Sequence, residues 1–306
     1  MQIAKISRVK PTSMSRREWA HLRTGLLFIS PWIVGFCVFV FYPMVYSCAI
    51  SLTRYTGLQV PIWLGLQNYT RLFSDPLVFT AAYNTAFYTL LAVPIGIVIA
   101  LLLGIAMKSA VREVSIYRTA LYLPSIIPTF ALSFIFIVLI NPQYGLLNIV
   151  LNFFNVAQTN YLGDPTSAKI VIVAMAQLGA GNAALIFLAG LNNIPRTLYE
   201  AARIDGSSRL GSFFHITLPL LSPTILFNTI TSVSAGLQVF QQAYIMTSGG
   251  PDNGTLFYMY YLYRNAFSYA QLGYACALSI ILFLVGVTLA VLIYTLSQRF
   301  VNYETV

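Results

Sequence analysis

The stretch YEAARIDGSSRLGSFFHITLPLLSP, residues 199–223, stands between two long apolar runs and concentrates charge that is scarce elsewhere. Asp, Glu, Lys and Arg make up only 8% of the 306 residues, whereas hydrophobic residues make up 58%. This balance is more apolar than that of typical soluble domains. The chain is therefore predicted to be a membrane protein, with residues 199–223 at a membrane surface.

Six uncharged stretches are each longer than the roughly 20 residues that a helix needs to cross about 30 Å of hydrocarbon. These stretches are Thr24–Thr53, Pro76–Met107, Thr119–Gly163, Ile170–Pro195, Ile216–Pro251 and Asn265–Gln298. None alternates with the period of two that an outer-membrane strand requires. The sequence predicts an all-α integral membrane protein with six transmembrane helices, at about residues 25–50, 82–107, 119–140, 170–191, 217–238 and 273–297.

The distribution of Lys and Arg predicts the orientation. If the amino terminus is inside, the inside segments hold all but four of the 17 basic residues. The four on the outside are Arg54, Arg71, Lys169 and Arg264. Positive charge favours the cytoplasmic face, so both termini and residues 199–223 are predicted to be cytoplasmic. The net charge of +9 then reflects topology, and its dispersal over short loops does not favour nucleic-acid binding.

The predicted organisation has three parts. Residues 1–23 form a basic cytoplasmic segment, residues 24–298 a transmembrane domain that includes a cytoplasmic loop at 192–216, and residues 299–306 a cytoplasmic tail. The first apolar run is too long for a signal peptide, so we expect a retained helix. Three cysteines lie in apolar runs without paired spacing and are expected to be packing residues.

The chain lacks the motifs of an enzyme. A phosphate-binding loop needs Gly-Lys followed by Ser or Thr, and none of the four lysines follows a glycine. His21 and His215 are the only histidines, so no paired-histidine metal site is expected. We predict no catalytic residue, no metal site and no cofactor bound by this chain.

Uncharged polar residues predict a solute pathway through the fourth and fifth helices. All eight acidic residues lie in loops or near the termini, which argues against proton coupling. Gln177 and Asn182 fall in the fourth helix, and Gln238, Gln241 and Gln242 surround the end of the fifth. The last three share one helical face if that helix continues so far. The alternative is that these residues join helices by hydrogen bonds, worth about 0.6 kcal/mol on average.

The segment NNIPRTLYEAARIDG, residues 192–206, predicts a short cytoplasmic helix with a cap at Asn193 and an end at Gly206. Ser207 or Ser208 begins a second helical segment. Such a helix suits docking of another protein, although amphipathic loops also lie on lipid headgroups.

The same residues resemble the EAA motif of binding-protein-dependent ABC importer permeases. The residues in register are Glu200, Ala201, Ala202, Asp205, Gly206, Ile216, Leu218 and Pro219. Flanking segments resemble the sugar-type branch that includes maltose and glycerol phosphate permeases: GLQNYTRLFSDP, YRTALYLPSIIP, GLLN, GGPDNGT and FSYAQLGYACALS. The resemblance extends from about Trp32 to Tyr303. A short first outer loop, without the extra amino-terminal helices of the maltose permease, matches the compact six-helix form.

This resemblance implies a type I ABC importer permease in a bacterial or archaeal plasma membrane. Two permease subunits, commonly non-identical, pair with two ATPase subunits that bind ATP and Mg²⁺, and an extracellular solute-binding protein delivers the solute. Carried over to this chain, Glu200 faces a basic residue of the ATPase, Ala201 and Ala202 line the contact, and Gly206 permits the bend. Arg203 and Asp205 add charges that orient the ATPase surface.

The function expected from this resemblance is ATP-driven import of a sugar or oligosaccharide by alternating access. A phosphorylated solute, as in glycerol phosphate permeases, would favour Arg or Lys in the pathway, and none is seen away from the helix ends. Two further alternatives stay open. A gradient-driven secondary carrier would transport without any ATPase, and a scaffold or receptor subunit would carry the motif yet move nothing.

Overall fold

The first membrane helix is a long, uncovered rod. The computed structural model describes residues 16–108, 114–155, 157–299 and 301, so most of the predicted amino-terminal segment and of the carboxy-terminal tail lies outside it. Helices α1 (Arg16–Phe36) and α2 (Tyr42–Ser51) are joined by one π-helical turn and form a single apolar span. No residue in the most apolar stretch of this span is buried against the rest of the chain.

A short outer connection follows the first span. It contains strand β1 (Thr53–Arg54), strand β2 (Ile62–Trp63) and helix α3 (Gln67–Ser74). The strands pair antiparallel, and the Asn68 amide nitrogen donates to the Ser51 and Thr53 carbonyl oxygens at 2.8 Å. These bonds satisfy carbonyl groups that the end of α2 would otherwise leave unpaired.

Helix α4 (Pro76–Lys108) is the central element of the bundle. It begins at Pro76, directly after Asp75, whose carboxylate accepts from the Leu77 backbone N–H at 3.0 Å. It runs six residues further toward the outside than the predicted helix 82–107, because a proline in the first turn costs no backbone hydrogen bond.

The prediction of one straight helix at 119–140 is wrong. Helices α5 (Val114–Ile126) and α6 (Thr129–Leu139) meet at 88°. The break falls at Pro128, which has an extended ψ of 139° and restricts the residue before it to non-helical backbone. A further short helix, α7 (Leu146–Phe153), follows.

The fourth span is helical but not uniform. Helices α8 (Pro165–Ala176) and α9 (Gly181–Asn193) are linked by a 3₁₀ turn at Gln177–Ala180. Helix α9 packs closely on α4 at Gly104, where an added Cβ would lie 2.9 Å from the Phe187 Cβ. Small residues at such contacts let membrane helices approach closely, so these two helices form one packed unit.

The fifth span is also broken. The cytoplasmic loop contains α10 (Arg196–Ile204), α11 (Arg209–Ser212) and α12 (Leu218–Leu220), and the membrane segment contains α13 (Ser222–Leu237) and α14 (Gln241–Met246). The axis bends by 62° between residues 220 and 222. The predicted single helix at 217–238 is therefore wrong at its start. Pro219 and Pro223 flank the bend, and neither has an N–H to continue a helical ladder.

The last part of the chain returns from the outside. The segment TSGGPDNGT at residues 247–255 forms a turn, followed by α15 (Tyr258–Tyr263), a π-helical turn and α16 (Leu272–Ser297). Within the described ranges, four continuous helices are long and apolar enough to cross a membrane. Each of the two bent pairs supplies one further broken span, which gives the predicted six.

Lys169 lies in a different environment from the predicted outer loop. It is the fifth residue of α8 and only 8% exposed. Its ammonium group donates to the Asn84 side-chain oxygen at 3.2 Å and lies 5.4 and 5.0 Å from the ring centroids of Tyr83 and Phe87. Asn84 in turn donates to the Asn253 carbonyl oxygen at 2.8 Å. This buried cation is thus partnered and joins α8 to α4, while Asn84 joins α4 to the outer turn.

A hydrogen-bonded carboxylate fixes the outer end of the bundle. The Tyr261 and Tyr274 hydroxyls donate to one oxygen of Asp75 at 2.6 and 2.9 Å. Burial alone would raise the pKa of the Asp75 carboxyl, but these two bonds, the Leu77 N–H and the nearby charge of Arg71 outweigh it and leave the pKa below its ordinary value. The ionised form therefore links α4 to α15 and α16.

We expect Asp75→Asn to lower the melting temperature of the purified protein at neutral pH, because an ionised acceptor is stronger than an amide. A carboxyl whose pKa is depressed in the folded state stabilises above its unfolded pKa, and that contribution is lost as pH falls through the folded pKa. The difference in melting temperature between the two proteins should therefore shrink on acidification. Asp252→Asn, at an exposed position of the outer turn, is the control; an equal, pH-independent loss in both variants would contradict the assignment.

Candidate functional site

The cytoplasmic loop presents a short, well-terminated helix. Helix α10 ends with Gly206 in the left-handed conformation, at a φ of 79°. The Gly206 N–H donates to the Arg203 carbonyl at 3.1 Å, and the Ser207 N–H donates to the Ala202 carbonyl at 2.8 Å. This pair of bonds is the Schellman termination, and the predicted role of Gly206 as the helix stop is confirmed.

The predicted cap of α10 at Asn193 is wrong, whereas the predicted start of the following helix, α11, at Ser207 or Ser208 is right. Asn193 ends α9 and does not cap α10, whose first residue Arg196 follows extended backbone at Ile194 and Pro195. The proline explains the shift, because the residue before a proline is driven out of the helical region. Ser208 caps α11, since its hydroxyl accepts from the Gly211 N–H at 3.0 Å.

The residues predicted for coupling lie on the surface of this loop. Glu200, Ala201, Arg203 and Asp205 are exposed, as is Gly206, while Ala202 is half-buried. Large apolar side chains are exposed beside them: Ile204 is 87% and Leu210 is 72% accessible. A rigid helix with charges and uncovered apolar side chains is typical of a surface that binds another protein.

All five residues predicted for the solute pathway line one cavity of about 580 Å³. They are Gln177, Asn182, Gln238, Gln241 and Gln242. The cavity lies between the middle of α4, the α5–α6 break, the 3₁₀ turn of the fourth span and the end of α13. Of the described residues that line it, none is Lys, Arg, Asp, Glu or His.

The three glutamines of the fifth span reach the cavity in an unexpected way. Helix α13 ends at Leu237, Gln238 leaves the helical conformation with a φ of −103°, and α14 begins at Gln241. The fifth helix does not continue to Gln242, so the three glutamines do not share one helical face as predicted. The break itself brings them to the cavity, in line with the rule that irregular backbone at membrane depth lines a cavity or is buried in protein.

Gln177 has an unused hydrogen-bond acceptor. Its amide nitrogen donates to the Val173 carbonyl at 2.8 Å, but its side-chain oxygen is buried and has no hydrogen-bond partner among the described residues. Asn182 is partnered, since its side-chain oxygen accepts from the Tyr122 hydroxyl at 3.1 Å. A buried unpaired acceptor is costly, so the Gln177 oxygen destabilises this conformation of the 3₁₀ turn.

Sequence reasoning missed the contribution of α5 to this cavity. Ser125 lines it, and Tyr122 orients Asn182 by the bond described above. The available signal was the run LYLPSIIP at 121–128, whose two prolines mark a helix break. A break at membrane depth predicts a nearby cavity, and reading the run as a straight span hid it.

The fold and the two sites define a polytopic membrane transport subunit. Residues 92–303 match the family model described as "Binding-protein-dependent transport system inner membrane component". The chain belongs to this family, the inner-membrane permease subunits of ABC importers.

Several curated relatives align along nearly the whole chain. The probable ABC transporter permease YesP of Bacillus subtilis is 36% identical over 92% of both chains. The arabinooligosaccharides transport system permease AraP of the same organism is 32% identical over 95% of both chains. The lactose transport system permease LacF of Rhizobium radiobacter is 34% identical over 92% of this chain and 96% of its own.

Solved structures share the fold. A chain of a bacterial ABC transporter that imports the acidic polysaccharide alginate superposes with a TM-score of 0.81 at 22% identity, over 94% of this chain and 100% of that chain. A second structure of that transporter, in complex with an alginate pentasaccharide-bound periplasmic protein, gives 0.81 over 93% and 98%. The type I importer permease architecture predicted from the sequence is confirmed, as is its membrane location.

We expect Gln177→Met to raise the melting temperature while lowering solute transport. Methionine has a similar shape and removes an unpaired buried oxygen that costs about 1–3 kcal/mol. Gln241→Met is the matched control, because Gln241 is exposed and gains nothing from the exchange. Thermal unfolding in detergent and uptake by the complete transporter would be measured side by side. A destabilised Gln177→Met protein would contradict the assignment of an unpaired oxygen.

Proposed function

We propose that this permease imports a neutral, hydroxyl-rich solute, a sugar or an oligosaccharide, through the cavity lined by the five amide residues. The observation that carries the proposal is the lining itself, which combines amide donors and acceptors with apolar surface and contains no charged residue among those described. Such a lining suits a solute rich in hydroxyl groups. Relatives named for arabinooligosaccharides and for lactose support the same solute class.

The transport cycle we propose is alternating access. Helix breaks border the cavity at Gln177–Ala180 and at Gln238–Phe240, and such interruptions can act as hinges between helical segments. ATP-driven closure of the ATPase pair would turn the cavity outward, and hydrolysis would return it inward and release the solute.

The energy would come from two separate ATPase subunits that bind ATP and Mg²⁺. We propose that they bind the loop of Glu200, Ala201, Ala202, Arg203, Asp205 and Gly206. The exposed helix α10 supports this assignment, because its charges can orient a partner while Ile204 and Leu210 offer apolar contact. The family membership supports it further, since the family consists of components of multi-subunit transport systems.

A second permease subunit, commonly non-identical in this family, would complete the pathway. The first span supports this proposal, because Leu27, Phe28 and Trp32 on α1 are exposed. An apolar groove of about 690 Å³ also lies open between α4, α13 and α16. Membrane lipid would cover part of these surfaces, and a second subunit would cover the rest.

An extracellular solute-binding protein would deliver the solute to the outer mouth. The name of the family and the solved complex of the alginate transporter with a periplasmic protein support this partner.

The alternatives fit the cavity less well. A glycerol-phosphate-type solute would call for Arg or Lys in the lining, as charge-assisted bonds to phosphate do. A gradient-driven carrier would call for an acidic residue or a histidine there. A scaffold subunit would have no use for a solute-sized cavity lined by amide side chains.

The direct test is to reconstitute this chain in proteoliposomes together with its ATPase, its second permease and its solute-binding protein. We expect the proteoliposomes to take up a neutral sugar or oligosaccharide. This uptake should require ATP on the side of the membrane that holds the ATPase. Lipid vesicles with this chain alone and an ion gradient should take up nothing. Gradient-driven uptake without an ATPase would overturn the proposal, and ATP-dependent uptake of phosphorylated solutes alone would overturn the solute class.

We expect Gly206→Val to abolish solute-stimulated ATP hydrolysis in the complete transporter while the protein still inserts. A residue with a Cβ pays about 1–2 kcal/mol in the left-handed conformation, and a β-branched one pays more, so the termination of α10 should be lost. Gly25→Val is the matched control: an added Cβ meets nothing within 4 Å at either glycine, and only Gly206 has a positive φ.

We also expect Glu200→Lys to reduce this stimulation strongly, because it reverses a charge that would face a basic residue of the ATPase. Normal uptake by both Gly206→Val and Glu200→Lys would remove the role assigned to this loop.

A further inference from the structure

Helix α10 is joined to the rest of the chain by a non-helical segment at each end. Before it, Ile194 and Pro195 are extended, with ψ values of 120° and 134°; after it, Gly206 has a φ of 79°. Of the nine residues of α10, all of them described, none is fully buried, and only Tyr199 and Ala202 are half-buried. The orientation of the helix on the bundle therefore depends on the side chains of this narrow inner face.

The Tyr199 ring packs against the cytoplasmic end of the bundle. It contacts a buried cluster formed by Leu191 of α9, Ile194 of the connection and Leu221 at the bend before α13. Each of these three side chains is almost fully buried. Because the cluster joins two membrane spans, the ring binds α10 to both of them at once.

The Tyr199 hydroxyl adds a directed bond to the fifth span. It lies 2.8 Å from the Thr217 hydroxyl oxygen, and Thr217 is only 6% exposed. Thr217 ends the π-helical turn that connects α11 to α12, so this bond reaches across the loop to the chain that enters the membrane. A hydrogen bond sheltered in this way is shielded from competition with water.

Lys108 brings the central helix to the same point. Its ammonium group donates to the Leu191 carbonyl oxygen at 2.7 Å and lies 5.7 Å from the centroid of the Tyr199 ring. Lys108 lies in the last turn of α4 and Leu191 in the last turn of α9, so the bond gives a hydrogen-bond donor to a carbonyl at a helix end. The ends of three membrane spans thus converge on one side chain of the loop helix.

We infer that Tyr199 is the joint that makes α10 move together with the membrane bundle. This inference rests on the proposed function, since it assigns how a displacement of α10 by the ATPase reaches α9 and α13. Without the joint, the non-helical segments at the two ends of α10 would absorb that displacement. Tyr199 touches neither solute nor nucleotide in this scheme and is a positioning residue.

The joint can be tested first in the permease itself. A spin label would be placed at Thr197→Cys, an exposed position of α10, in a background with Cys37, Cys48 and Cys276 replaced by alanine. We expect Tyr199→Ala and Thr217→Val to increase the mobility of the label. Tyr117→Phe, at an exposed position on α5, is the control and should leave the spectrum unchanged. A label equally ordered in Tyr199→Ala and in the parent would overturn the inference.

The second measurement uses the complete transporter. We expect Tyr199→Phe to lower the solute moved per ATP hydrolysed roughly fivefold, the factor that corresponds to one lost hydrogen bond. Tyr199→Ala should lower it further, while the ATPase still co-purifies in wild-type amount. An unchanged ratio in Tyr199→Ala, or loss of the ATPase with unchanged label mobility, would overturn the role of a joint.

The two measurements separate this inference from the proposed function. A wild-type complex without ATP-driven transport would overturn the proposed function. The label spectra of the permease would then still decide whether Tyr199 holds α10 on the bundle.

Discussion

Hydrocarbon offers no hydrogen bonds to a polypeptide backbone, and this constraint determines where the chain can depart from a helix. Apart from the π-helical turn of the first span and the bend at residue 221, three departures within the spans fall at the α5–α6 break, at the 3₁₀ turn Gln177–Ala180 and at residues 238–240. All three border the same cavity. An interruption of a membrane helix is tolerated where protein or a water-filled space, and not lipid, meets the freed backbone groups. The cavity and these three breaks are therefore one feature, and each accounts for the other.

The parts of the fold that follow from composition alone were predictable. Long uncharged stretches locate the spans, and Gly206 predicts the end of α10 because only glycine adopts a positive φ at little cost. The two bends were not predicted, since hydropathy reports burial in lipid and carries no direction. The prolines at 128, 219 and 223 held that information. Lys169 was predicted to lie outside the helix for a related reason. A charge next to an apolar run suggests a loop, whereas here Asn84 and two aromatic rings compensate for the burial of Lys169 within α8.

The five amide residues share one cavity, although helical periodicity does not explain why. Gln238, Gln241 and Gln242 were grouped by helical periodicity, yet a break separates the first from the other two. What brings them together is the scarcity of polar side chains in an apolar bundle, because burying an amide in lipid is costly and a shared cavity relieves that cost. Tyr122 and Ser125 escaped notice because tyrosine and serine are common in membrane helices and carry little signal of their own.

The two sites are connected by the same two helices. Helix α9 has the 3₁₀ turn and Asn182 at one end and Leu191 at the other; α13 has Gln238 at one end and Leu221 at the other. At 13 and 16 residues, these helices span about 20 and 24 Å. Both ends away from the cavity meet at the cluster that holds Tyr199. In the proposed cycle, these two helices would carry a displacement of the cytoplasmic cluster to their broken ends, and the change in shape would occur at the cavity.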